Sequence, residues 1–358
     1  MCGEAWRSTA LAARSPLRIE QGTADAASDA YAAVHPDGTL YHLSVWNRLI
    51  EELFDHPQYC WRAWRDGRLV GVLPLTRLRS RLFGDYLVSL PFVNYGGALA
   101  DEPAIAERLM RAAAEAAARL GCRHIEFRDT CARADGAWPV RTDKVAMLLP
   151  LPAEAEALWQ ALGSKLRAQV RRPLKEGGME VVRGGPELAR PFYQVFSRNM
   201  RDLGTPVYPL AMFRRILETL PDQASIVLVR HRRRPVAAGF LLRDRDRMEI
   251  PWASSLQEYN RLGVNMLLYW HALQAAVEAG CRVFDFGRSS VDSGTYRFKK
   301  QWGAQPRQLY WHYWLAAGQA LPNLTPTNPR YRLAIQAWQR LPVTVANWLG
   351  PRIVRNLP

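Results

Sequence analysis

The sequence predicts an α/β fold made of two tandem copies of one unit, each a mixed sheet flanked by helices. Three observations carry this expectation. The stretch AAAEAAARLGCRHIEFRD (112–129) is repeated 159 residues later as HALQAAVEAGCRVFDFGR (271–288), with Gly-Cys-Arg followed by an apolar residue, an acid and Phe in both. Upstream, DGRLVGVLPL (66–75) matches RRRPVAAGFLL (232–242), and downstream VAMLLPL from Val145 matches QLYWHYWL from Gln308, in the same order. Within each copy strand-like runs joined by turns precede a strand, a helix and a further strand, which is the pattern of a mixed sheet with helices on both faces. A chain of 358 residues is also too long for one ordinary core.

The elements follow in order. Residues 1–30 are expected to be a flexible segment, and MCGEAWRSTALAARS lacks the apolar stretch of a signal peptide. The first unit, 31–151, opens with a helix in LSVWNRLIEELF. Strands follow in YCWRAWR, LVGVLPLTRL and YLVSLPFV, then an Ala-rich helix from Glu102 to Leu120 and the strand HIEFRD. The second unit, 152–320, begins with helices in ALWQALGSKLRAQVRRPLKE, PELARPFYQVFSRNM and LAMFRRILETL. Its strands are SIVLVR, VAAGFLL and MEIPWAS, followed by a helix from Tyr259 to Ala279 and the strand RVFDFG. A basic tail, 321–358, closes the chain. Its Leu333, Ile335, Trp338 and Leu341 either pack back on the second unit, with Pro342 breaking the helix, or share with Arg side chains a peripheral contact with an anionic membrane.

Composition removes several classes of function. There are no 18 consecutive apolar residues to span a bilayer, and the five cysteines are odd in number and lack metal-ligand spacing, so a cytoplasmic protein without a metal site is expected. No H-E-x-x-H, G-x-x-x-x-G-K-[ST] or G-x-G-x-x-G is present, and Gly287-Arg288-Ser289-Ser290-Val291 lacks the second glycine of a nucleophile elbow. The formal charge of +15 favours partners that carry phosphate. Of its basic runs, RHRRR (230–234) reads as a solvated hairpin loop, whereas SKLRAQVRR places Lys165 and Arg171 at a helix start, where the helix adds its own positive end. DNA is not among the partners expected.

Only five of the 48 basic residues are lysines, and two of them, Lys299 and Lys300, stand together in SVDSGTYRFKKQWG. Either they form a solvated strand edge, or an ammonium is needed there.

The segments NMRDLGTPVYP (199–209), FDFGRSSVDSGTYRFKKQWGA (284–304) and LGPRIVRNLP are similar to FemAB-related proteins associated with exosortase and PEP-CTERM systems. The resemblance runs from about Tyr31 to the end. It implies two tandem GNAT-like (acyl-CoA N-acyltransferase-like) domains, and transfer of an acyl or aminoacyl group to an amine of a cell-envelope or exopolysaccharide precursor. The co-substrate would be acyl-CoA or aminoacyl-tRNA, with no tightly bound cofactor, and the acceptor a glycan or lipid-linked precursor at the inner face of the membrane.

By the resemblance, Phe298 and Lys299 match the Phe-Lys pair at the transfer centre of Fem transferases, where the ammonium steadies an oxyanion. Arg201 and Tyr208 would line the acceptor cleft. Asp285, alternating with Phe284 and Phe286, either orients the acceptor amine or points to solvent. Arg288 and Asp292 lie in the following loop, where binding residues commonly sit. Glu249 either occupies the strand position at which an acetyltransferase of this fold keeps its general base or is a plain outward-facing carboxylate. The pyrophosphate loop of such enzymes corresponds to Asn260-Arg261-Leu262-Gly263-Val264-Asn265, which keeps Gly263 but has Asn265 where a small residue belongs. In the first copy, Tyr95-Gly96-Gly97-Ala98 would open the corresponding helix. The degraded loop leaves a second reading open, a non-catalytic envelope-assembly factor that retains the fold.

Overall fold

The computed structural model describes residues 15–322 and 332–357, apart from 82, 134, 135 and 137. The first half of the chain forms β1 (Arg18–Gly22), α1 (Ala26–Val34), α2 (Ser44–Phe54), β2 (Gln58–Arg65), β3 (Arg68–Ser80), β4 (Gly84–Val88), β5 (Leu99–Ala100), α3 (Pro103–Arg119), β6 (His124–Asp129), β7 (Val140–Arg141) and β8 (Lys144–Pro150). The second half forms α4 (Ala155–Ala161), α5 (Ser164–Lys175), β9 (Met179–Gly184), α6 (Ala189–Asp202), α7 (Leu210–Thr219), β10 (Ala224–His231), β11 (Arg234–Asp244), β12 (Arg247–Ser255), α8 (Val264–Glu278), β13 (Val283–Ser290), α9 (Gly294–Gln301), β14 (Gln305–Gln308) and β15 (Tyr310–Leu315). Helices α10 (Arg332–Gln339) and α11 (Val343–Val354) end it.

The repeat is real in space. One sheet runs β1-β2-β3-β4-β6-β15-β7, with β5 on β3, and the other β9-β10-β11-β12-β13-β8-β14. The two orders match strand for strand, and each has a single parallel pair, β4 with β6 and β12 with β13, joined over α3 and α8. The boundary at 151 does not hold, because the last strands are exchanged. β8 of the first copy lies between β13 and β14 of the second sheet, while β15 of the second copy lies between β6 and β7 of the first. Both strands bring buried residues to those sheets, Val145 and Met147 in one and the fully buried Tyr313 in the other.

Helix α3 covers the first sheet with Ile105, Leu109, Met110 and Ala113, and α8 covers the second with Val264, Leu267, Leu268 and Ala272. The largest core lies between the units. There α2 of the first unit meets α6 and α7 of the second, through Trp46, Leu49, Ile50, Phe192, Phe196 and Phe213, with Leu90 and Phe92 of the β4–β5 loop alongside.

Several expectations need correction. Residues 18–22, assigned to the flexible segment, form an edge strand on β2, and α1 begins at Ala26 behind an Asp25 N-cap; residues 1–14 lie outside the described residues. YLVSLPFV is strand only to Val88. The basic run from Ser164 is a helix of its own, separated from α4 by Gly163. The Lys299-Lys300 pair is not on a strand edge: Ser293 accepts a hydrogen bond from the Tyr296 amide and caps a helix that carries both lysines in its last turn. The RHRRR run is the expected β10–β11 turn, with Arg232 and Arg233 at φ +50° and +67°.

The described part of the tail packs. Ala346, Gly350 and Val354 of α11 are buried against α6, and a Cβ at Gly350 would stand 2.9 Å from Val207 backbone atoms. The Tyr86 hydroxyl donates to the Asn356 carbonyl (2.9 Å), so the tail also straps the first unit. Trp338 is buried as expected, whereas Leu333 is exposed. Among the described residues no helix is long and apolar enough to cross a membrane.

The exchanged strands predict that neither half folds alone. A fragment ending at Pro150 should lack a cooperative melting transition, because it would expose the β6 edge and leave β8 without a sheet. The whole chain should melt in one calorimetric transition; a stable, cooperatively melting N-terminal fragment would show that the exchange is dispensable.

Candidate active site

The second sheet opens at one place. β12 and β13 pair in parallel only at Arg247–Val283, Met248–Phe284 and Glu249–Asp285. Beyond these, β12 continues on β11 as far as Ser255, past an irregularity in register, and β13 continues on β8 to Ser290 after a second irregularity at Gly287, whose φ is +74°. The two strands therefore part just after a pair of carboxylates.

Both carboxylates are buried and face the first unit, as alternation requires when Phe284 and Phe286 fill the core beneath the sheet. Asp285 accepts hydrogen bonds from the Tyr95 hydroxyl (2.7 Å) and the Gly287 amide (2.7 Å) and pairs with Arg247. Glu249 accepts from the Tyr41 hydroxyl (2.5 Å) and the Asn94 amide (3.0 Å) but has no ion pair among the described residues. Burial, and then the negative charge of Asp285, push its pKa up to about 7, against the opposing pull of Arg247 and the two hydrogen bonds. A carboxylate held there can take a proton near neutrality.

Asn94, Tyr95 and Tyr41 were not among the site residues expected. They come from the first unit. The loop from Ser89 to Ala98 has Leu90 and Phe92 at φ +54° and +70°, and the buried Arg128 ties it down through the carbonyls of Leu90 and Val93. Tyr95-Gly96-Gly97-Ala98 opens no helix, since α3 begins at Pro103. Its glycines serve close packing: a Cβ at Gly97 would stand 2.2 Å from the Asp129 carboxylate, and one at Gly96 2.8 Å from Leu90. In the first unit the corresponding parting of β4 and β6 is thereby occupied by its own loop, with Ser89 bonded to Glu126 and Arg128 and the Gly96 amide to the Arg128 carbonyl.

Lys299 reaches the same region from α9. Its ammonium donates to the carbonyls of Gly287 (3.1 Å) and Arg288 (2.8 Å), the bulge that parts the strands. Burial lowers its pKa to about 8; Asp285 and Glu249 oppose that shift and Arg288 adds to it. An ammonium has three donors, so one remains for a substrate. Lys300 is exposed, with its ammonium over the Tyr296 ring at 5.7 Å.

The other expected residues divide. Phe298 is packing: its ring meets Tyr269 edge-on at 4.9 Å and Trp302 at 6.4 Å, which anchors α9. Arg201 does not line the cleft, because it pairs with Asp202 and donates to the Leu341 carbonyl at the end of α10. Tyr208 does stand at the parting, between Phe92 of the first unit (5.4 Å) and Trp252 of β12 (6.2 Å). Arg288 lies beside it, over the Trp311 ring at 5.0 Å. Asp292 is exposed at φ +59° in the β13–α9 loop, where its carbonyl accepts from Arg297. Lys165 and Arg171 are both exposed on α5, the latter over the Trp159 ring at 5.1 Å. Gly263 caps α8 at φ +78°, and Asn265, half-buried in the first turn, leaves that end of the helix available to an anion; Gln169 and Pro173 of α5 lie against Gly263.

A cleft of about 560 Å³ between the units, lined by Tyr95, Arg247, Arg245, Cys131, Arg307 and Tyr310 among others, reaches the Asp285 cluster from the opposite side. It adjoins a cavity of about 20 Å³, room for one water, that touches Tyr41 and Glu249. Among the described residues no group of three or more His, Cys, Asp and Glu side chains is placed to hold a metal ion.

A sheet that parts beside a capped crossover helix, duplicated along one chain, is specific enough to compare with known proteins. Residues 163–300 match the family model described as an acetyltransferase (GNAT) domain. Among solved structures, FemX superposes with a TM-score of 0.64 over 88% of this chain and 100% of FemX, at 16% identity. The chain has a tandem GNAT fold. A tandem GNAT protein from the clavulanic acid biosynthesis pathway superposes with a TM-score of 0.52 over 86% of this chain and 100% of its own, at 14% identity. At such identities the likeness is one of fold. No curated protein sequence matches the chain.

Two outcomes separate Lys299 from its neighbour. Lys299→Met should lower turnover about 10²-fold while the protein melts no lower than wild type at pH 7, because a buried ammonium favouring its neutral form opposes folding below about pH 8. Lys300→Met should leave turnover within about twofold; equal losses in both variants would remove Lys299 from the site.

Proposed function

We propose that the chain is an N-acyltransferase or aminoacyltransferase whose one working site is the parting of β12 and β13. The observation that carries this reading is the buried Glu249, poised near 7, at the point where the strands separate and within the field of Lys299.

In this reading the neutral acceptor amine lies against Glu249 and attacks the acyl carbonyl; as the C–N bond forms, its nitrogen gives one proton to the Glu249 carboxylate, and the oxyanion is met by the Lys299 ammonium. As the tetrahedral intermediate collapses, the acyl–sulfur bond of a thioester or the acyl–oxygen bond of an aminoacyl ester breaks. Lys299, near 8, can protonate the departing group. Arg247 and Tyr95 hold Asp285 in place beside Glu249, where its charge helps raise the Glu249 pKa so that this carboxylate can accept the amine proton. The phosphates of either donor suit the first turn of α8, which Gly263 begins without a side-chain cap, with the exposed basic residues of α5 nearby. The envelope or exopolysaccharide acceptor, and work at the inner membrane face, rest on the resemblance of the 284–304 segment.

A specific observation favours the other reading, a non-catalytic assembly factor: Asn265 stands where a phosphate loop of this fold keeps a small residue. Donor binding decides between the two. Acetyl-CoA, longer acyl-CoAs and charged tRNA are each titrated into the full chain; saturable binding by one class supports the enzyme, and binding by none supports the scaffold.

Given the donor, the pH dependence of kcat/KM should be bell-shaped. Activity needs Glu249 deprotonated and rises through about pH 7, and it needs Lys299 protonated and falls through about pH 8. Glu249→Gln should abolish the acid limb along with about 10²-fold or more of the rate; an unchanged acid limb would assign the base elsewhere.

A further inference from the structure

Three hydrogen-bond donors without a partner gather beside the parting of β12 and β13, on the face turned to the first unit. The Arg288 side chain makes no ion pair and no hydrogen bond among the described residues; its guanidinium lies over the Trp311 ring. Arg128 also lies over the Trp311 ring (4.6 Å), and the buried indole N–H has no partner among the described residues. The Tyr208 hydroxyl also has none, and it lies within the field of both guanidiniums. Arg288 is exposed, and yet enclosed enough that burial and Arg128 both push its pKa down. Its guanidinium is thus open to water on one side and backed by the Trp311 ring.

The charges there are unequal. Arg128 is matched by Glu126 (2.8 Å), whose other oxygen accepts from the Tyr313 hydroxyl (2.8 Å). Nothing matches Arg288. A group of donors, with two arginines over one indole and a surplus positive charge, is short of one anionic acceptor.

We propose that Arg288, Tyr208 and Trp311 form a pocket for a carboxylate or phosphate group carried by the amine acceptor. That the anion belongs to an acceptor rests on the acyl-transfer reading; the anion pocket itself does not. Placement assigns it to the acceptor and not the donor. Arg288 faces the first unit, on the side of Glu249 and Asp285, whereas α8, whose first turn suits donor phosphates, packs under the opposite face of the sheet with Phe284 and Phe286. The Arg288 carbonyl is itself bound by Lys299 (2.8 Å), so an anion seated here fixes the acceptor within one residue of the catalytic ammonium.

The test is calorimetric titration of the full chain with sodium phosphate and, separately, sodium acetate, with chloride holding ionic strength constant. One-site binding is expected for at least one of them, retained in Glu249→Gln and Lys300→Gln and weakened about 10- to 100-fold in Arg288→Gln. Tighter phosphate binding names a phosphorylated acceptor, and tighter acetate binding one with a carboxylate. Absence of binding by both anions, or equal affinity in Arg288→Gln, overturns the pocket. Should Arg288→Gln melt below wild type, phenylglyoxal labelling of the wild-type chain replaces it: the bound anion should protect Arg288 from modification, and unprotected labelling refutes the assignment. Because none of these readouts involves turnover, loss of the pocket and loss of the acyl-transfer reading would be told apart.

Discussion

The exchange of last strands holds the rest in place. With β8 completing the second sheet and β15 the first, the units cannot turn about a linker, and the face of the second sheet is held against the loop of the first. That fixed approach allows Tyr41, Asn94 and Tyr95 to contact Glu249 and Asp285 at 2.5–3.0 Å. In two separate chains the same exchange would be a domain swap giving a symmetric dimer. Within one chain it creates two non-equivalent partings, one occupied by its own loop and Arg128, the other left for chemistry.

Electrostatics then separates two carboxylates on adjacent strands. Arg247 and Tyr95 engage Asp285, and a backbone amide completes its shell; Glu249 receives only neutral donors. Burying both costs free energy that the single arginine offsets for one of them. The unpaired member therefore holds a proton more readily, which is how chemically similar side chains come to play different roles.

Much of the fold was legible because it is written locally. The Gly-Cys-Arg repeat and the alternation in SIVLVR and VAAGFLL announce elements and their order, and the exposed Arg232-Arg233 turn follows from its place between strands. Which sheet a strand joins was not legible: VAMLLPL and QLYWHYWL satisfy the same pattern in either unit, and only three-dimensional closure chooses. The Ser293 cap that turns the lysine pair into helix α9 was present in the sequence as Ser-Gly-Thr-Tyr, but the basic residues read as an edge. At the candidate site, Glu249, Lys299, Tyr208 and Arg288 were expected from strand position and resemblance. Asn94 and Tyr95 were not, because their role depends on a loop with two residues in the left-handed region, packed across a contact between units. A polar pair inside SLPFVNYGG, followed by two glycines, was the one available signal.

Strand exchange also constrains how the protein is made. When the ribosome has delivered Asp129, the edge of β6 has no neighbour, and the strand that covers it, Tyr310–Leu315, arrives only after the whole second unit has been translated. At 5–20 residues per second this leaves a buried-type strand uncovered for roughly 10–40 s. Throughout that interval the nascent chain carries an open strand edge of the kind that chaperones bind. Its biosynthesis is therefore committed to late closure, with both sheets completed almost together once β14 and β15 have been made.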